Sequence, residues 1–309
     1  MSSFSASDAA MSGFRFIRRQ PRTVLIWAGA LFLCELIYGL LLVGLAREQL
    51  PAVRAFSETN STDPEAAMAM LPAVSPVLLL TFAAFLAVAS VMFSAAYRAQ
   101  FEPEPHRWGH IRVGRDELRF AGLIALWVVL SVGGSFIITF FTALLYALGS
   151  ALPPVIALPY MLLLIAGAIA AFVYPIVRLS LSMPMTYVDA HIRLLESWKP
   201  TRGHVWRLLG AYVLSALMIC LLFFAVWSVV AVIAAFVAVA AGVPLTALSG
   251  LFRTDTSSLS AYFSPLSIIA ALLNAMAWAA SLAIFCSPVA EAHRALVGEP
   301  EDSPDEAFA

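Results

Sequence analysis

Six long apolar stretches, separated by short polar connections, occupy most of the 309-residue chain. Each stretch is long enough to cross a bilayer as a helix, because about 20 apolar residues span the hydrocarbon core. We therefore predict an all-α membrane protein, a six-transmembrane-helix bundle over residues 24–290. The predicted spans are 24–46, 72–97, 119–149, 154–180, 205–241 and 263–290.

Three of these spans have features that refine the prediction. The first follows a basic segment, but it is too long for the apolar core of a signal peptide and has no cleavage site, so we expect it to stay uncleaved. The third contains Gly133-Gly134-Ser135 near its middle, where we expect a kink or local unwinding. The fifth has no internal turn signal, which favours one tilted helix over a hairpin.

The distribution of basic residues predicts an orientation. Of the 18 Lys and Arg residues, fifteen lie in the N-terminal segment, the second and fourth connections and the C-terminal tail, and three lie in the other connections. The positive-inside rule then places both termini in the cytoplasm. We accordingly expect residues 1–23 to be a cytoplasmic basic arm. Residues 291–309, rich in acidic side chains and proline, are expected to be a disordered cytoplasmic tail.

Composition argues against several functional classes. Charged residues make up 12% of the chain, about half the share of a soluble domain, and the net charge of −1 gives no reason to expect a nucleic-acid partner. Cys34, Cys220 and Cys286 lie in three different apolar runs, a spacing typical of small buried side chains rather than of a disulfide or metal framework. No enzyme motif is present. We therefore expect a non-enzymatic protein with no cofactor.

Two histidines in the second connection are candidates for a metal or pH-sensing site. His106 and His110 are four residues apart and have acidic neighbours, a composition compatible with metal binding. Pro103 and Pro105 oppose helical geometry at this point, so the two imidazoles are not expected to share a helix face. We predict no metal site.

Residues 184–199 are predicted to form a short amphipathic helix on the cytoplasmic membrane surface. Its apolar side chains recur at helical spacing, at Met185, Val188, Ile192 and Leu195. Trp198 would anchor this helix among the headgroups, and Thr201 would cap the helix of the fifth span. A connecting helix packed beneath the bundle is the alternative, and the two interpretations are compatible.

Glu35, about halfway along the first span, is the main candidate for intramembrane chemistry. An acidic residue at the bilayer centre costs about 2.5–3.5 kcal/mol, so its side chain should face the bundle or a water-filled cavity. Asn274, at a similar depth in the sixth span, and Tyr38, one turn beyond Glu35, are candidate hydrogen-bond partners. The carboxyl group is either a structural hydrogen-bonding group or the proton- or substrate-binding group of a secondary transporter.

The basic connections 98–119 and 184–207 are the candidate binding segments. Each cation beside an anionic leaflet contributes about 1 kcal/mol of binding, although topology alone also places cations there. The candidate contacts for anionic lipid or a protein partner are Arg112, Arg115, Arg119, Arg193, Lys199, Arg202 and Arg207. The expected partners are membrane lipids, and also a membrane protein or a second copy of this chain.

Three short stretches in these connections resemble a known family. They read GRDELR at 114–119, RLSLSMP at 178–184 and SWKPTRGHVWRLL at 197–209. They are similar to the six-span membrane domain found ahead of glycerophosphoryl diester phosphodiesterases, and to its stand-alone alphaproteobacterial relatives of unknown function. The resemblance implies a bacterial inner-membrane protein. No segment here resembles the family's phosphodiesterase domain, so its hydrolytic chemistry is not carried over.

These patterns predict a non-enzymatic, multi-pass module of the bacterial inner membrane that engages lipid or a protein partner through its basic connections. A secondary transporter that uses Glu35, with Gly133-Gly134 as a broken-helix site, is the alternative. An enzyme acting on lipid within the membrane ranks last, because it needs at least two facing polar side chains at one depth.

Overall fold

The computed structural model of the protein describes residues 5–45, 48–59, 63–102, 107–150, 152–240, 242 and 258–298, and helices are the only regular secondary structure in these ranges. The α-helices are α1 (Ala6–Arg19), α2 (Pro21–Leu45), α3 (Leu50–Thr59), α4 (Pro64–Phe101), α5 (Arg115–Gly149), α6 (Pro154–Leu179), α7 (Ser182–Val188), α8 (Val205–Ala240), α9 (Leu259–Tyr262) and α10 (Pro265–Val297). A 3₁₀ helix covers Leu195–Trp198.

The predicted fold class is confirmed. Among the described residues, six helical segments are long and apolar enough to cross a membrane: α2, α4, α5, α6 continuing into α7, α8 and α10. Successive spans run in opposite directions, so the starts of α2, α5 and α8 meet the ends of α4, α6 and α10. We call this end of the bundle, with its connections 102–114 and 180–204, the basic end.

The packed core lies toward the basic end, where α10 is the central helix. One buried cluster joins α1, α2, α4 and α5 to α10, and a second joins α6, α7 and α8 to α10. Ala279, Ala283 and Ala290 of α10 are fully buried. Such small side chains let helices approach closely in lipid, where burial of apolar surface gives no drive to association.

The halves of α5 and α6 that lie away from the basic end pack much less tightly. In α5 the buried residues fall in the first ten positions, between Glu117 and Ile124, apart from Gly149 at the far end. In α6, burial is confined to the last three residues, from Val177 to Leu179. Apolar side chains such as Phe136 and Ile137 are exposed, as expected for surfaces that contact lipid.

The predicted basic arm contains a helix that packs into the bundle. Ser5 caps α1 by accepting a hydrogen bond from the Asp8 backbone N–H at 3.5 Å. Ala9 and Ala10 are fully buried, and Gly13 lies against the backbone of Ile284 in α10. Residues 6–19 therefore belong to the core rather than forming a free arm.

Of the kink or local unwinding predicted at Gly133-Gly134-Ser135, the local unwinding is wrong. Helix α5 continues without interruption through these residues, and the Ser135 hydroxyl donates to the Ser131 carbonyl at 2.7 Å within the helix. A continuous helix satisfies every backbone group internally, which is the strongest structural requirement inside lipid. The broken-helix site of the transporter alternative is thus absent here. The fifth span is one helix, as predicted.

The predicted helix over 184–199 is also wrong. Helix α7 ends at Val188, and the next helical turn is the separate 3₁₀ helix. Between them Ala190 has a φ of 54°, and this left-handed conformation, unfavourable for a residue with a Cβ, ends the helix. Met185 is buried and Ile192 and Leu195 are exposed, so these positions do not form one apolar face.

The predicted role of Thr201 as a helix cap is wrong as well. Its hydroxyl lies 3.1 Å from the Arg178 carbonyl and 2.9 Å from the Ser197 carbonyl, to which it can donate. Ser197 also lies 3.2 Å from the Arg178 carbonyl. Both hydroxyl groups are buried, and together they fix connection 195–204 to the end of α6.

Candidate functional site

A buried ion pair joins α4 to α5 at the centre of the basic end. Arg98 Nη2 lies 2.9 Å from Glu117 Oε1, and the side chains are 3% and 6% exposed. The Ser94 hydroxyl donates to the same carboxyl oxygen at 2.8 Å. Asp116, which is more exposed, lies 3.4 Å from the same guanidinium. These groups satisfy one another, as a charge removed from water requires.

The connection after α4 folds back onto this ion pair. Arg98 Nη1 donates to the His110 carbonyl at 2.7 Å, and the Trp27 indole of α2 donates to the Gly109 carbonyl at 2.7 Å. His110 has a φ of 62° and Gly109 a φ of 59°. A left-handed histidine is strained, so these two hydrogen bonds hold the turn in a conformation it would not adopt alone.

Three of the seven predicted basic contacts are already paired with carboxylates. Arg119 lies 2.7 Å from Asp116, and Arg112 lies 4.0 Å from Glu102. Arg193 pairs with Asp189 at 3.2 Å and with Glu196 at 2.9 Å. Glu102 additionally accepts a hydrogen bond from the Tyr187 hydroxyl at 2.7 Å. These charges are largely neutralised within the protein.

The other four predicted contacts remain open to the surroundings. Arg115, Lys199, Arg202 and Arg207 are exposed, and within the described ranges no hydrogen bond or ion pair engages their side-chain charges. Arg115 begins α5, and the other three lie in or just after the connection that leads into α8. The structure thus separates one set of cations that is paired with carboxylates from another set that faces outward without a partner in the described ranges.

Helix α1 adds cations to the same end. Arg15, Arg18 and Arg19 line a cavity of about 330 Å³. Arg15 also pairs with Glu291 of α10 at 3.0 Å, whereas Arg18 and Arg19 are exposed. The basic end therefore presents positive charge from α1 as well as from the two basic connections.

Arg178, which the sequence did not single out, is buried at the end of α6. The residue is 4% exposed, and its guanidinium carbon lies 4.6 Å from the centre of the Trp198 ring and 5.9 Å from that of Tyr174. Its Nε atom is buried and has no hydrogen-bond partner among the described residues. Trp198, 38% exposed, covers this cation rather than anchoring a surface helix.

The three intramembrane candidates lie on two helices, α2 and α10. Glu35 of α2 is partly buried, and its carboxyl group interacts with the Asn274 side chain of α10. The Tyr38 hydroxyl lies instead 2.8 Å from the Thr81 hydroxyl of α4. The structure therefore brings Asn274, but not Tyr38, to the Glu35 side chain.

Tyr262 of α9, missed in the sequence, closes the same region from the far end of the bundle. Its hydroxyl donates to the Glu35 backbone carbonyl at 3.4 Å, and its ring lies against Gly39, where any larger residue would collide with it. Burial raises the pKa of Tyr262, and the nearby Glu35 and Tyr38 raise it further. The phenol therefore stays protonated and remains a donor at neutral pH.

No group of three or more His, Cys, Asp or Glu side chains within the described part of the chain could hold a metal ion. His106 lies outside the described residues. His110 is buried, 3.9 Å from Glu102, so its environment is that of the folded turn rather than of an open ligand site.

The burial of two arginines was not predicted from the sequence, for an identifiable reason. Arg98 and Arg178 were counted as topology signals because each ends an apolar run. The ion pair could have been predicted from opposite charges on the two sides of one connection. Arg98 lies in the last turn of α4, and Glu117 lies in the first turn of α5. Antiparallel neighbouring helices place such ends side by side, so opposite charges there predict an ion pair.

Comparisons of the chain with protein-family models, curated proteins and solved structures found no match. The resemblance to the membrane domain found ahead of glycerophosphoryl diester phosphodiesterases rests on the three sequence stretches alone. Function must therefore be inferred from the geometry of the basic end and of the Glu35 region.

Proposed function

We propose that the protein is a non-enzymatic, multi-pass module of a bacterial inner membrane that binds anionic phospholipid headgroups at its basic end. One observation carries this proposal: Arg115, Lys199, Arg202 and Arg207 are exposed there and have no ion-pair partner in the described ranges. Their neighbours Arg112, Arg119 and Arg193 are paired with carboxylates. Cations left open at a membrane surface attract anionic lipid.

The positive-inside rule explains why cations lie on one side, but it does not distinguish paired from open ones. Of the seven predicted contacts, carboxylates neutralise Arg112, Arg119 and Arg193 and leave the other four open. The concentration of basic residues supports a cytoplasmic position for this end and for both termini, and the three family-like stretches support a bacterial inner membrane. In such a membrane the cytoplasmic leaflet carries anionic phospholipid, which complements the open cations.

Replacing both Arg115 and Arg202 with Gln is expected to weaken phosphatidylglycerol binding by about 2 kcal/mol, on the order of 30-fold in the dissociation constant. The binding is measured by titrating the protein in neutral detergent micelles with phosphatidylglycerol, with phosphatidylethanolamine as the zwitterionic reference. Native mass spectrometry counts the bound lipids.

The matched control replaces the same two residues with Lys, which keeps both charges and should preserve most of the binding. Equal affinity of the Gln variant and the wild type, with unchanged thermal stability, would contradict the proposal. If the wild type does not prefer phosphatidylglycerol to phosphatidylethanolamine, lipid is not the partner. A protein partner with an acidic surface would then be the occupant to test.

A proton- or substrate-coupled carrier is the second candidate, favoured by the interaction of the Glu35 carboxyl group with the Asn274 side chain between two spans. Under our first proposal, Glu35→Gln should change the melting temperature by only a few degrees, because the Gln amide can also interact with Asn274. Proton flux into proteoliposomes, followed with a pH-sensitive dye, should then be equal for the wild type and the variant. Flux that disappears in the folded variant would favour the carrier.

A further inference from the structure

Arg178 is a buried cation without a countercharge in the described part of the chain. It is 4% exposed, and its Nε atom has no hydrogen-bond partner. No ion pair involves it, in contrast to the other buried arginine, Arg98, which is paired with Glu117. A charge removed from water and left unpaired is unfavourable, so its retention at this position needs a compensating group.

The contacts around Arg178 compensate its charge only in part. Trp198 and Tyr174 offer ring faces at 4.6 Å and 5.9 Å, which attract a cation weakly. The guanidinium also lies at the C-terminal end of α6, where the helix dipole is negative. None of these groups supplies the planar pair of acceptors that a guanidinium fork binds best.

The protein holds Arg178 firmly in this position. Its backbone carbonyl accepts hydrogen bonds from Ser197 and Thr201, and Trp198 between them covers the side chain. The carboxylate of Glu196, which precedes Ser197 in the chain, is engaged by Arg193 at 2.9 Å. The residues that follow Trp198 carry the open cations Lys199 and Arg202. The segment that covers the guanidinium therefore carries further open cations, and no carboxylate pairs with Arg178 in the described ranges.

We propose that Arg178 binds the phosphate group of an anionic phospholipid headgroup, with Lys199 and Arg202 at the rim of the site. This refines, and rests on, the function proposed above. A phosphate diester offers two acceptor oxygens that match the guanidinium fork, and Arg178 lies in the last turn of α6, at the basic end. The lipid, rather than free phosphate, is the intended ligand because Trp198 beside the guanidinium is 38% exposed, and tryptophan is the residue type enriched where headgroups and acyl chains meet.

Binding of phosphatidylglycerol to Arg178→Gln is expected to be at least about tenfold weaker than to the wild type, because a charge-assisted bond is lost. Arg178→Lys keeps the charge but not the planar fork, and an intermediate loss is expected. Arg193→Gln is the matched control: its cation is exposed and paired, and its loss should leave phosphatidylglycerol binding within about twofold. Each variant is titrated in neutral detergent micelles, and bound lipid is counted by native mass spectrometry.

Wild-type affinity in a folded Arg178→Gln variant would overturn the assignment and leave Arg178 as a structural cation–π anchor. If that variant does not fold, wild-type affinity in Arg178→Lys would overturn it equally. Release of phosphatidylglycerol by millimolar inorganic phosphate would assign the site to free phosphate instead. Failure of the Arg178 assignment can be distinguished from failure of the function proposed above. In the second case even the wild type shows no preference for phosphatidylglycerol over phosphatidylethanolamine.

Discussion

Glu117→Gln is expected to lower the free energy of unfolding by about 3 kcal/mol. The substitution removes the carboxylate that lies 2.9 Å from Arg98 and leaves a guanidinium only 3% exposed. Breaking a buried pair by removing one partner typically costs about 3–5 kcal/mol, since the remaining charge is uncompensated. We expect the lower end of this range because Asp116 still lies 3.4 Å from Arg98. The loss should also loosen the turn at His110, whose carbonyl Arg98 binds.

Unfolding in detergent micelles, induced by heat or by sodium dodecyl sulfate, measures this loss. Glu196→Gln is the matched control, because Glu196 pairs with Arg193 at a similar distance but is 56% exposed. Exposed pairs contribute about 0–1 kcal/mol, so the control should change stability by less than about 1 kcal/mol. Equal losses in the two variants would show that the Arg98–Glu117 pair does not hold α4 to α5.

Gly13→Ala is expected to destabilise the protein by about 2–3 kcal/mol. A methyl group at this position would overlap the Cα atom of Ile284 and lie 3.1 Å from the Ala283 carbonyl oxygen. Both obstacles belong to the backbone of α10, so no side-chain rotation can relieve them. Helix α1 must instead move away, which uncovers Ala9, Ala10 and Phe16.

Gly29→Ala serves as its control. No atom lies within 4 Å of the position that the added methyl group would take, and Gly29 is exposed in the middle of α2. Replacing a glycine in a helix by alanine, without collision, gains up to about 1 kcal/mol. The two variants should therefore shift stability in opposite directions. A neutral or stabilising Gly13→Ala would mean that α1 does not pack against α10.

The spans could be read from the sequence because lipid imposes a simple rule: every backbone group must bond within its helix. The connections obey no such rule. The end of α7 depends on Ala190 in a left-handed conformation, for which alanine gives no signal. The second span, predicted to start at residue 72, starts at Pro64, where Asp63 caps it by accepting from the Ala66 N–H at 3.1 Å.

Helix α1 was missed because the four arginines of residues 1–23 suggested only a basic segment. Ser5 followed by Asp8 is a helix-start signal, and Ala9, Ala10 and Gly13 form a small-residue face of the kind that packs against a neighbouring helix. Of the intramembrane candidates, Asn274 could be matched to Glu35 by depth alone. Tyr38 could not be assigned in this way, because its partner Thr81 lies on another helix.

Direct extraction of the protein from its membrane in polymer-bounded nanodiscs, followed by mass spectrometry of the co-extracted lipids, tests the central claim most directly. The account predicts that anionic phospholipids are enriched around the wild type relative to the bulk membrane. The enrichment should fall when Arg115 and Arg202 are both replaced with Gln. A lipid composition equal to that of the bulk membrane, in both proteins, would contradict the proposal that the open cations of the basic end bind anionic lipid.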